Sequence, residues 1–264
     1  MTIHPGRRFA LSRAPGLRGL VRRLWAREDP DVCVFLACVH PGDVVLDVGA
    51  NRGDYTLLFS DLVGPDGRVH AFEPVEESCR AFEEAVRRHG RHDNVRLWRT
   101  AVGDWVGETA IHVPAEDLRQ AALVRHHGRS WPETGRVVTQ PCPITSLDAW
   151  GRESQVHRVD FVKCDTEGAE LSVFRGAREL IALHRPTMHV ELSLDWSRDF
   201  GYEPGELIAF LGAQGYREFR LVEREFRRLG PGLEELEAWR ALGSVNLLCL
   251  SPHRPRGDGR FRRW

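Results

Sequence analysis

The sequence predicts one α/β domain built on a doubly wound, mostly parallel sheet. From Pro30 onwards, short apolar runs typical of strands alternate with amphipathic segments typical of helices. This alternation places helices on both faces of a parallel sheet. The length of 264 residues, of which 42% are hydrophobic and 28% charged, also fits one large globular domain.

The predicted elements give a seven-stranded sheet. Helices are expected at 30–39, 54–63, 76–89, 168–183 and 204–214, and strands at 43–48, 68–72, 94–102, 159–164, 187–192, 216–223 and 244–250. No clear crossover helix separates the last two strands. Because parallel neighbours need such a crossover, the last strand is expected to be antiparallel.

Three further segments accompany this main domain, which is expected to span 41–252. A basic helical extension is predicted for residues 1–40, because the first 27 residues contain seven arginines and no aspartate or glutamate. The polar stretch 104–144 has strand-like ends and predicts a hairpin or lid insertion. Residues 253–264 predict a basic tail.

Composition argues against several classes of partner. A net charge of −1 gives no overall attraction for nucleic acid. The six cysteines form no C-x-x-C pair and no metal spacing, which predicts a reduced, cytoplasmic setting. The longest apolar run, 32–39, is far shorter than the ~20 residues of a membrane span. Lys163 is the only lysine among 37 basic residues.

The segment 44–56, V-V-L-D-V-G-A-N-R-G-D-Y-T, predicts a strand, a glycine turn and a helix start. Glycine is needed where the backbone takes a positive φ or approaches a ligand closely, as expected at Gly49 and Gly53. The helix start offers free N–H groups. The next strand ends at Glu73, about 20 residues after Gly53, where an acidic residue reaches a bound ribose.

The glycine spacing separates two kinds of nucleotide site. Dinucleotide folds place G-x-G-x-x-G against a pyrophosphate, whereas this chain has D-x-G-x-x-x-G, with Ala50 and Asn51 after Gly49. The pattern favours a ligand with an adenosine and no pyrophosphate, and it disfavours a nicotinamide enzyme. The structural alternative is an ordinary turn with Glu73 exposed to solvent.

A second motif, 160–171, reads D-F-V-K-C-D-T-E-G-A-E-L. Asp165 and Glu167 follow a strand, and Glu191 is expected at the same sheet edge from the next strand. Ligands bind at that edge in open α/β sheets. Carboxylates gathered there are costly unless they are solvated, protonated, metal-bound or functional. A capped helix with Glu170 on the surface would explain part of the motif, but not Glu167 and Glu191.

Together these motifs resemble the FkbM-type methyltransferases. The resemblance covers about residues 43–215 and is carried by L-D-V-G-A-N-R-G-D-Y-T, H-A-F-E-P, N-V-R-L-W-R-T-A-V-G-D, I-T-S-L-D-A-W, D-F-V-K-C-D-T-E-G-A-E-L-x-V-F-x-G-A and H-V-E-L. It implies a class I methyltransferase, Rossmann-like fold and S-adenosylmethionine as methyl donor. It also implies O-methylation of a hydroxyl on a sugar, glycoside or other specialised metabolite.

The resemblance further implies which residues hold the donor. Asp47 and the turn from Gly49 to Gly53 would hold the amino acid part of the donor. Glu73 would accept hydrogen bonds from both ribose hydroxyls. Ala101 and Val102 would flank the adenine. The full predicted donor set is Asp47, Gly49, Asn51, Gly53, Tyr55, Thr56, Glu73, Pro74, Ala101, Val102 and Asp165.

A hydroxyl acceptor is a poor nucleophile and needs a base. The catalytic candidates are Glu191, Glu167 and Asp165, with Glu191 or Glu167 preferred as the base. No metal site is predicted from residue spacing. Carboxylates could instead collect a Mg²⁺ ion, and its ligands would then be Asp165 and Glu191.

Several other predictions concern the acceptor side. His126 and His127 could act in the lid, and Trp131, Trp196 and Tyr202 could stack on an acceptor. The expected partner is a small hydroxylated molecule, with neither nucleic acid nor a membrane span, and a homo-oligomer is left open. The alternatives are an N-methyltransferase, whose acidic rim would hold an amine, and a non-catalytic S-adenosylmethionine-binding protein.

Overall fold

The computed structural model describes residues 29–90, 93–115, 117–126, 131, 136–193, 195–222, 227–228 and 243–250. The first 28 residues of the predicted basic extension, and the basic tail, therefore lie outside the described residues. Within the described ranges, no helix is both long enough and apolar enough to cross a membrane.

The described elements alternate between helix and strand. The strands are β1 (Val44–Val48), β2 (Arg68–Phe72), β3 (Val95–Trp98), β4 (Ala101–Val102), β5 (Gly107–Pro114), β6 (Val137–Thr145), β7 (Phe161–Cys164), β8 (Thr187–Ser193), β9 (Glu218–Val222), β10 (Arg227–Arg228) and β11 (Ser244–Leu250). The helices are α1 (Pro30–Cys38), α2 (Asp54–Val63), α3 (Glu76–His89), α4 (Leu147–Glu153), α5 (Glu170–Arg175), α6 (Arg178–His184), α7 (Trp196–Asp199) and α8 (Pro204–Ala213).

The main sheet has the strand order β10-β9-β11-β8-β7-β1-β2-β3. Strands β1, β2, β3, β7 and β8 are parallel, while β11 lies antiparallel between β8 and β9. This confirms the predicted doubly wound, mostly parallel class I fold with an antiparallel last strand. The two-residue β10 extends the edge beyond the seven predicted strands.

Helices cover both faces of the sheet, as buried side chains on successive residues of β7 show. Phe161 packs with Phe35 and Phe59 on one face. Val162, which points to the opposite face, belongs to the core that contains Phe174. Parallel strands covered on both faces need apolar residues at nearly every position, so the charged Asp47 and Lys163 in β1 and β7 stand out.

Two predicted elements are broken in the structure. The strand expected at 94–102 ends at Trp98, and Ala101–Val102 joins the second sheet by pairing with β6. The helix expected at 168–183 divides into α5 and α6 around Gly176. A Cβ at Gly176 would lie 2.0 Å from the Gly103 carbonyl oxygen. Both breaks therefore come from contact with the neighbouring sheet, which no local pattern reports.

The stretch predicted as an insertion contains an antiparallel hairpin. Strands β5 and β6 pair from Gly107 opposite Ile144 to Pro114 opposite Val137. Ile111 and Ile144 pack with Val75 and Ala101 of the main domain in one apolar cluster. This contact fixes the hairpin against the residues that follow β2 and β3, so that it forms one side of the site described next.

Candidate functional site

The turn after β1 is built from residues with positive φ. Gly49 has φ +78°, Asn51 φ +49° and Gly53 φ +84°. The amides of Gly49 and Ala50 both donate to the Phe72 carbonyl oxygen, at 3.1 and 3.0 Å. The chain therefore doubles back over the end of β2 before α2 begins, which brings the helix start to the edge of the sheet.

Gly49 is required for steric as well as conformational reasons. A Cβ on Gly49 would lie 1.7 Å from the Asp165 carbonyl oxygen, whereas a Cβ on Gly42, with φ +84°, would meet nothing within 4 Å. We expect Gly49→Ala to lower the free energy of unfolding by at least about 2 kcal/mol more than Gly42→Ala, because only the first adds a backbone clash. Urea denaturation of the two variants measures the difference. Equal losses would show that the strands can separate freely here.

Glu73 accepts two backbone hydrogen bonds at the end of β2. The Asn51 amide donates to Oε2 and the Val75 amide to Oε1, both at 2.8 Å. Burial raises the pKa of Glu73 to about 7, although both amides oppose the shift. The residue is 5% exposed, which excludes the alternative of a solvent-exposed glutamate on an ordinary turn. Glu73 lines the cavity, so hydroxyl groups of a ligand could donate to the lone pairs that the two amides leave unused.

A cavity of about 650 Å³ lies beside this turn. Its volume falls within the range of about 300–1,000 Å³ that is common for small-molecule sites. One end contains Phe72, Glu73 and the predicted adenine neighbours, and the insertion supplies an apolar wall there. The predicted site residues that line the cavity are Gly49, Asn51, Tyr55, Glu73, Pro74, Ala101, Val102, Asp165, Glu167 and Glu191.

Three residues of the predicted donor set lie behind the cavity wall. Asp47 and Thr56 are fully buried, and the Thr56 hydroxyl donates to Asp47 Oδ2 at 2.5 Å. Gly53 packs against Phe82, whose ring a Cβ at Gly53 would approach to 2.6 Å. None of these three residues lines the cavity, so we do not expect them to contact the donor directly. Gly53 shapes the turn, and Thr56 bonds Asp47, which lies beside Lys163.

Lys163 links the two site motifs. Its ammonium group lies 2.9 Å from Asp165 Oδ2 and 3.7 Å from Asp47 Oδ1, and it donates to the Gly49 carbonyl oxygen at 3.1 Å. Burial opposes the charge on Lys163, but Asp165 and Asp47 outweigh it and keep its pKa above the usual value. The register of β1 with β7, Asp47 opposite Lys163, produces this contact.

Removal of the lysine should leave the buried Asp47 and the partly exposed Asp165 without their shared cation. We expect Lys163→Met to lower the free energy of unfolding by about 3–5 kcal/mol, since one partner of a buried ion pair is lost. Arg152→Met is the matched control, because Arg152 pairs with Glu179 and both of these side chains are exposed. Its loss should cost less than about 1 kcal/mol. Urea denaturation measures both changes. If the two variants lose similar free energies of unfolding, burial does not make the Lys163 ion pairs more important for stability than an exposed pair.

Three carboxylates meet at the other end of the cavity. Oxygens of Asp165, Glu167 and Glu191 lie within 4.8 Å of one another. Burial would raise the pKa of Asp165, but Lys163 outweighs it and holds this pKa below the usual value. Burial and repulsion by Asp165 raise the pKa of Glu167. Repulsion by Asp165, followed by burial, raises the pKa of Glu191. The cluster thus combines one carboxyl group whose pKa is lowered with two whose pKa values are raised.

Glu170 has a structural position. It is 1% exposed and accepts hydrogen bonds from the Thr166 and Gly168 amides at 2.9 and 3.2 Å, and from the Tyr202 hydroxyl at 3.2 Å. The alternative that places Glu170 on the surface is therefore wrong. Its carboxylate organises the loop between β7 and α5, because it satisfies amides that would otherwise be buried without a partner.

The aromatic candidates divide into two groups. Trp196 lines the cavity beside the acidic cluster. Trp131 and Tyr202 are 3% and 6% exposed and do not line it, so the prediction that these two stack on an acceptor is wrong. His126 is buried against Trp196, and His127 lies outside the described residues.

The residues of this site match a known family. Residues 47–218, which are more than half of the chain, match the methyltransferase FkbM domain. The chain belongs to the FkbM methyltransferase family. This confirms the resemblance inferred from the glycine turn, the strand that ends at Glu73 and the acidic motif.

Three curated relatives illustrate the similarity. 2-O-methyltransferase NoeI from Sinorhizobium fredii is 27% identical over 163 residues, 55% of this chain and 61% of NoeI. Nocamycin O-methyltransferase from Saccharothrix syringae is 29% identical over 235 residues, 84% of this chain and 73% of the relative. 31-O-demethyl-FK506 methyltransferase FkbM from Streptomyces tacrolimicus is 43% identical over 72 residues, 26% of this chain and 25% of the relative. The match therefore spans less than two thirds of NoeI.

A solved structure gives a further comparison. The methyltransferase FkbM from Methylobacillus flagellatus KT has a TM-score of 0.48 and 16% sequence identity, with 93% of this chain and 58% of that chain covered.

The sequence motifs did not identify every residue at the cavity. Asp29, Ser193, Asp195 and Ser244 line it but belong to no motif. Asp29 precedes α1 and Ser244 begins β11, so distant parts of the chain supply them. Lys163 did carry a signal, because it is the only lysine in a chain that otherwise uses arginine.

Proposed function

We propose that this protein is an S-adenosylmethionine-dependent O-methyltransferase that acts on a hydroxyl of a small molecule, such as a sugar, glycoside or other specialised metabolite. One observation carries the proposal. A single cavity has the Glu73 carboxylate beside a glycine turn at one end and the cluster of Asp165, Glu167 and Glu191 at the other. The first end suits an adenosine and the second suits proton removal from an acceptor.

The residues present fit the donor chemically. The free lone pairs of Glu73 match two ribose hydroxyls, and Ala101 and Val102 give an apolar place for an adenine. The ionised Asp165 would attract the donor's ammonium group. When bound, S-adenosylmethionine supplies a methyl group on a positively charged sulfur, which an oxygen must approach in line.

The acidic cluster would orient the acceptor and take its proton. The proposed base is Glu191 or Glu167, and Asp165 stays ionised through Lys163. A carboxyl that retains its proton must lose it before it can act as a base, so an approaching positive charge would favour the active form. The Glu191 carboxyl also accepts from the Ser244 hydroxyl at 3.0 Å, which fixes its orientation.

A divalent cation is the alternative use of the same carboxylates. Asp165 and Glu191, together with Glu167, offer the hard oxygen ligands that Mg²⁺ prefers. A metal could then lower the pKa of the acceptor hydroxyl in place of a protein base. The two mechanisms differ in their response to EDTA.

The names of two relatives favour oxygen as the methylated atom, since NoeI is a 2-O-methyltransferase and the nocamycin enzyme an O-methyltransferase. An amine acceptor would instead use the acidic cluster to bind a cation. A non-catalytic binder would bind the donor without turnover.

The proposal is tested by titration calorimetry with S-adenosylmethionine and S-adenosylhomocysteine, with and without Mg²⁺. Micromolar binding of both is the expected result, and absence of binding by folded protein would overturn the proposal. Turnover of hydroxylated and amine acceptors, followed as S-adenosylhomocysteine release, then separates the O-methyl, N-methyl and non-catalytic alternatives. Loss of turnover in EDTA and its recovery with Mg²⁺ would favour the metal mechanism.

A further inference from the structure

His126 occupies an unusual place for an insertion residue. Its side chain is fully buried, and its ring stacks on Trp196 with the centroids 4.6 Å apart. Trp131, also from the insertion, meets the same ring edge-on at 5.4 Å. The imidazole therefore lies between the insertion and α7, where its orientation is fixed by two indole rings.

Both ring nitrogens are hydrogen bonded to parts of the chain outside the insertion. Nδ1 lies 2.9 Å from Asp199 Oδ2, at the end of α7. Nε2 lies 2.8 Å from the backbone carbonyl oxygen of Glu167. One side chain thus joins the insertion to α7 and to the loop after β7, across sequence separations of 73 and 41 residues.

The Glu167 backbone needs such a partner. Its φ is +55°, a conformation that residues other than glycine adopt at a cost of about 1–3 kcal/mol when the surroundings hold them there. The next residue, Gly168, has φ +102°, and a Cβ there would lie 2.9 Å from the Phe200 ring. The hydrogen bond from His126 anchors the carbonyl at the strained residue, whose carboxyl faces Asp165 and Glu191.

We propose that His126 is a positioning residue: it fastens the insertion to the loop after β7 and thereby holds the Glu167 carboxyl in the acidic cluster. The consequence for turnover rests on the proposed methyltransferase function, whereas the consequence for loop order does not. The insertion also lines the donor end of the cavity through Leu118 and Ala121. His126 thus couples the part of the chain beside the donor to the residue beside the acceptor.

Two isosteric substitutions separate the two hydrogen bonds. In His126→Gln the amide nitrogen falls near the position of Nε2 and can still donate to Glu167. In His126→Asn the amide nitrogen falls near Nδ1 and can still reach Asp199, but not Glu167. If His126 only filled space, the defects of the two variants would follow the side-chain volume that each one loses. If His126 is a positioning residue, His126→Gln should behave like the wild type and His126→Asn should not.

Hydrogen–deuterium exchange of the whole protein supplies the first readout, and it needs no acceptor. The Thr166 and Gly168 amides, both bonded to Glu170, report loop order. We expect them to exchange at least about tenfold faster in His126→Asn and within about threefold of wild type in His126→Gln. Equal exchange in wild type and His126→Asn would overturn the proposal.

Turnover supplies the second readout, with an acceptor found by the screen above. We expect kcat to fall about tenfold to a hundredfold in His126→Asn, with the affinity for S-adenosylhomocysteine unchanged. A misplaced Glu167 carboxyl should slow catalysis without weakening binding at the donor site. His112→Ala is the matched control. His112 is a β5 histidine of the same insertion, and its ring lies 3.0 Å from the Thr139 hydroxyl on the partner strand of the hairpin. An equal fall in the glutamine and asparagine variants would refute positioning, and failure of wild type to bind S-adenosylhomocysteine would refute the proposed function alone.

Discussion

Replacement of Glu73 by alanine is expected to lower the affinity for S-adenosylhomocysteine at least about a hundredfold, because two charge-assisted hydrogen bonds to the ribose are lost. Titration calorimetry measures the change. Glu77→Ala is the matched control, since Glu77 is an exposed glutamate in the first turn of α3. The Glu77→Ala variant should bind S-adenosylhomocysteine with the same affinity as the wild type.

Glu73 also accepts the Asn51 and Val75 amides, so alanine disturbs the turn as well as the ribose contact. Glu73→Gln retains one acceptor oxygen and should lose at least about tenfold in affinity. Since burial raises the pKa of Glu73 to about 7, wild-type affinity should increase from about pH 6 to about pH 8, as the carboxylate forms. The glutamine variant should not show this increase. Wild-type affinity in a folded alanine variant would place the ribose elsewhere.

The second large effect concerns the proposed base. Glu191→Gln is expected to lower kcat about 10²–10⁴-fold while donor affinity stays within about threefold, because general-base catalysis acts only on the reacting proton. Glu167→Gln is the parallel variant. Glu179→Gln, an exposed glutamate on α6, is the control and should turn over normally.

The raised pKa of Glu191 determines the pH dependence of this effect. A carboxyl with a raised pKa is protonated below that pKa and becomes a base above it, so wild-type kcat should increase with pH from neutrality. The increase should disappear in the variant that removes the base. If both glutamine variants keep normal turnover, the base is neither Glu191 nor Glu167. If both lose turnover but Mg²⁺ controls the wild-type rate, the carboxylates act as metal ligands.

Local sequence was sufficient for most of the fold. The strand Arg68–Phe72 and the helices Asp54–Val63 and Glu76–His89 begin and end where the apolar patterns and glycines predict, and the strand Val44–Val48 begins one residue later than predicted. Parallel strands bring their carboxyl ends to one edge of the sheet. The motifs at the ends of β1, β2, β7 and β8 therefore lie close together. The family assignment follows from the same motifs and is confirmed by the match over residues 47–218. The roles in donor binding and catalysis remain predictions.

Other features depended on contacts that no sequence window contains. Asp47 and Thr56 have the residue types of a binding motif, but the structure buries both of them behind the cavity wall. The helix expected at 168–183 breaks because Gly176 lies against the Gly103 backbone.

The sequence by itself determined the order of strands and helices, the glycine turn and the edge at which the carboxylates gather, because these depend on residue periodicity and backbone conformation. The tertiary structure alone decided which carboxylate is ionised and which side chain holds Glu167. Those properties depend on burial and on distances of a few ångströms between residues far apart in the chain, such as Lys163 to Asp47 and His126 to Glu167.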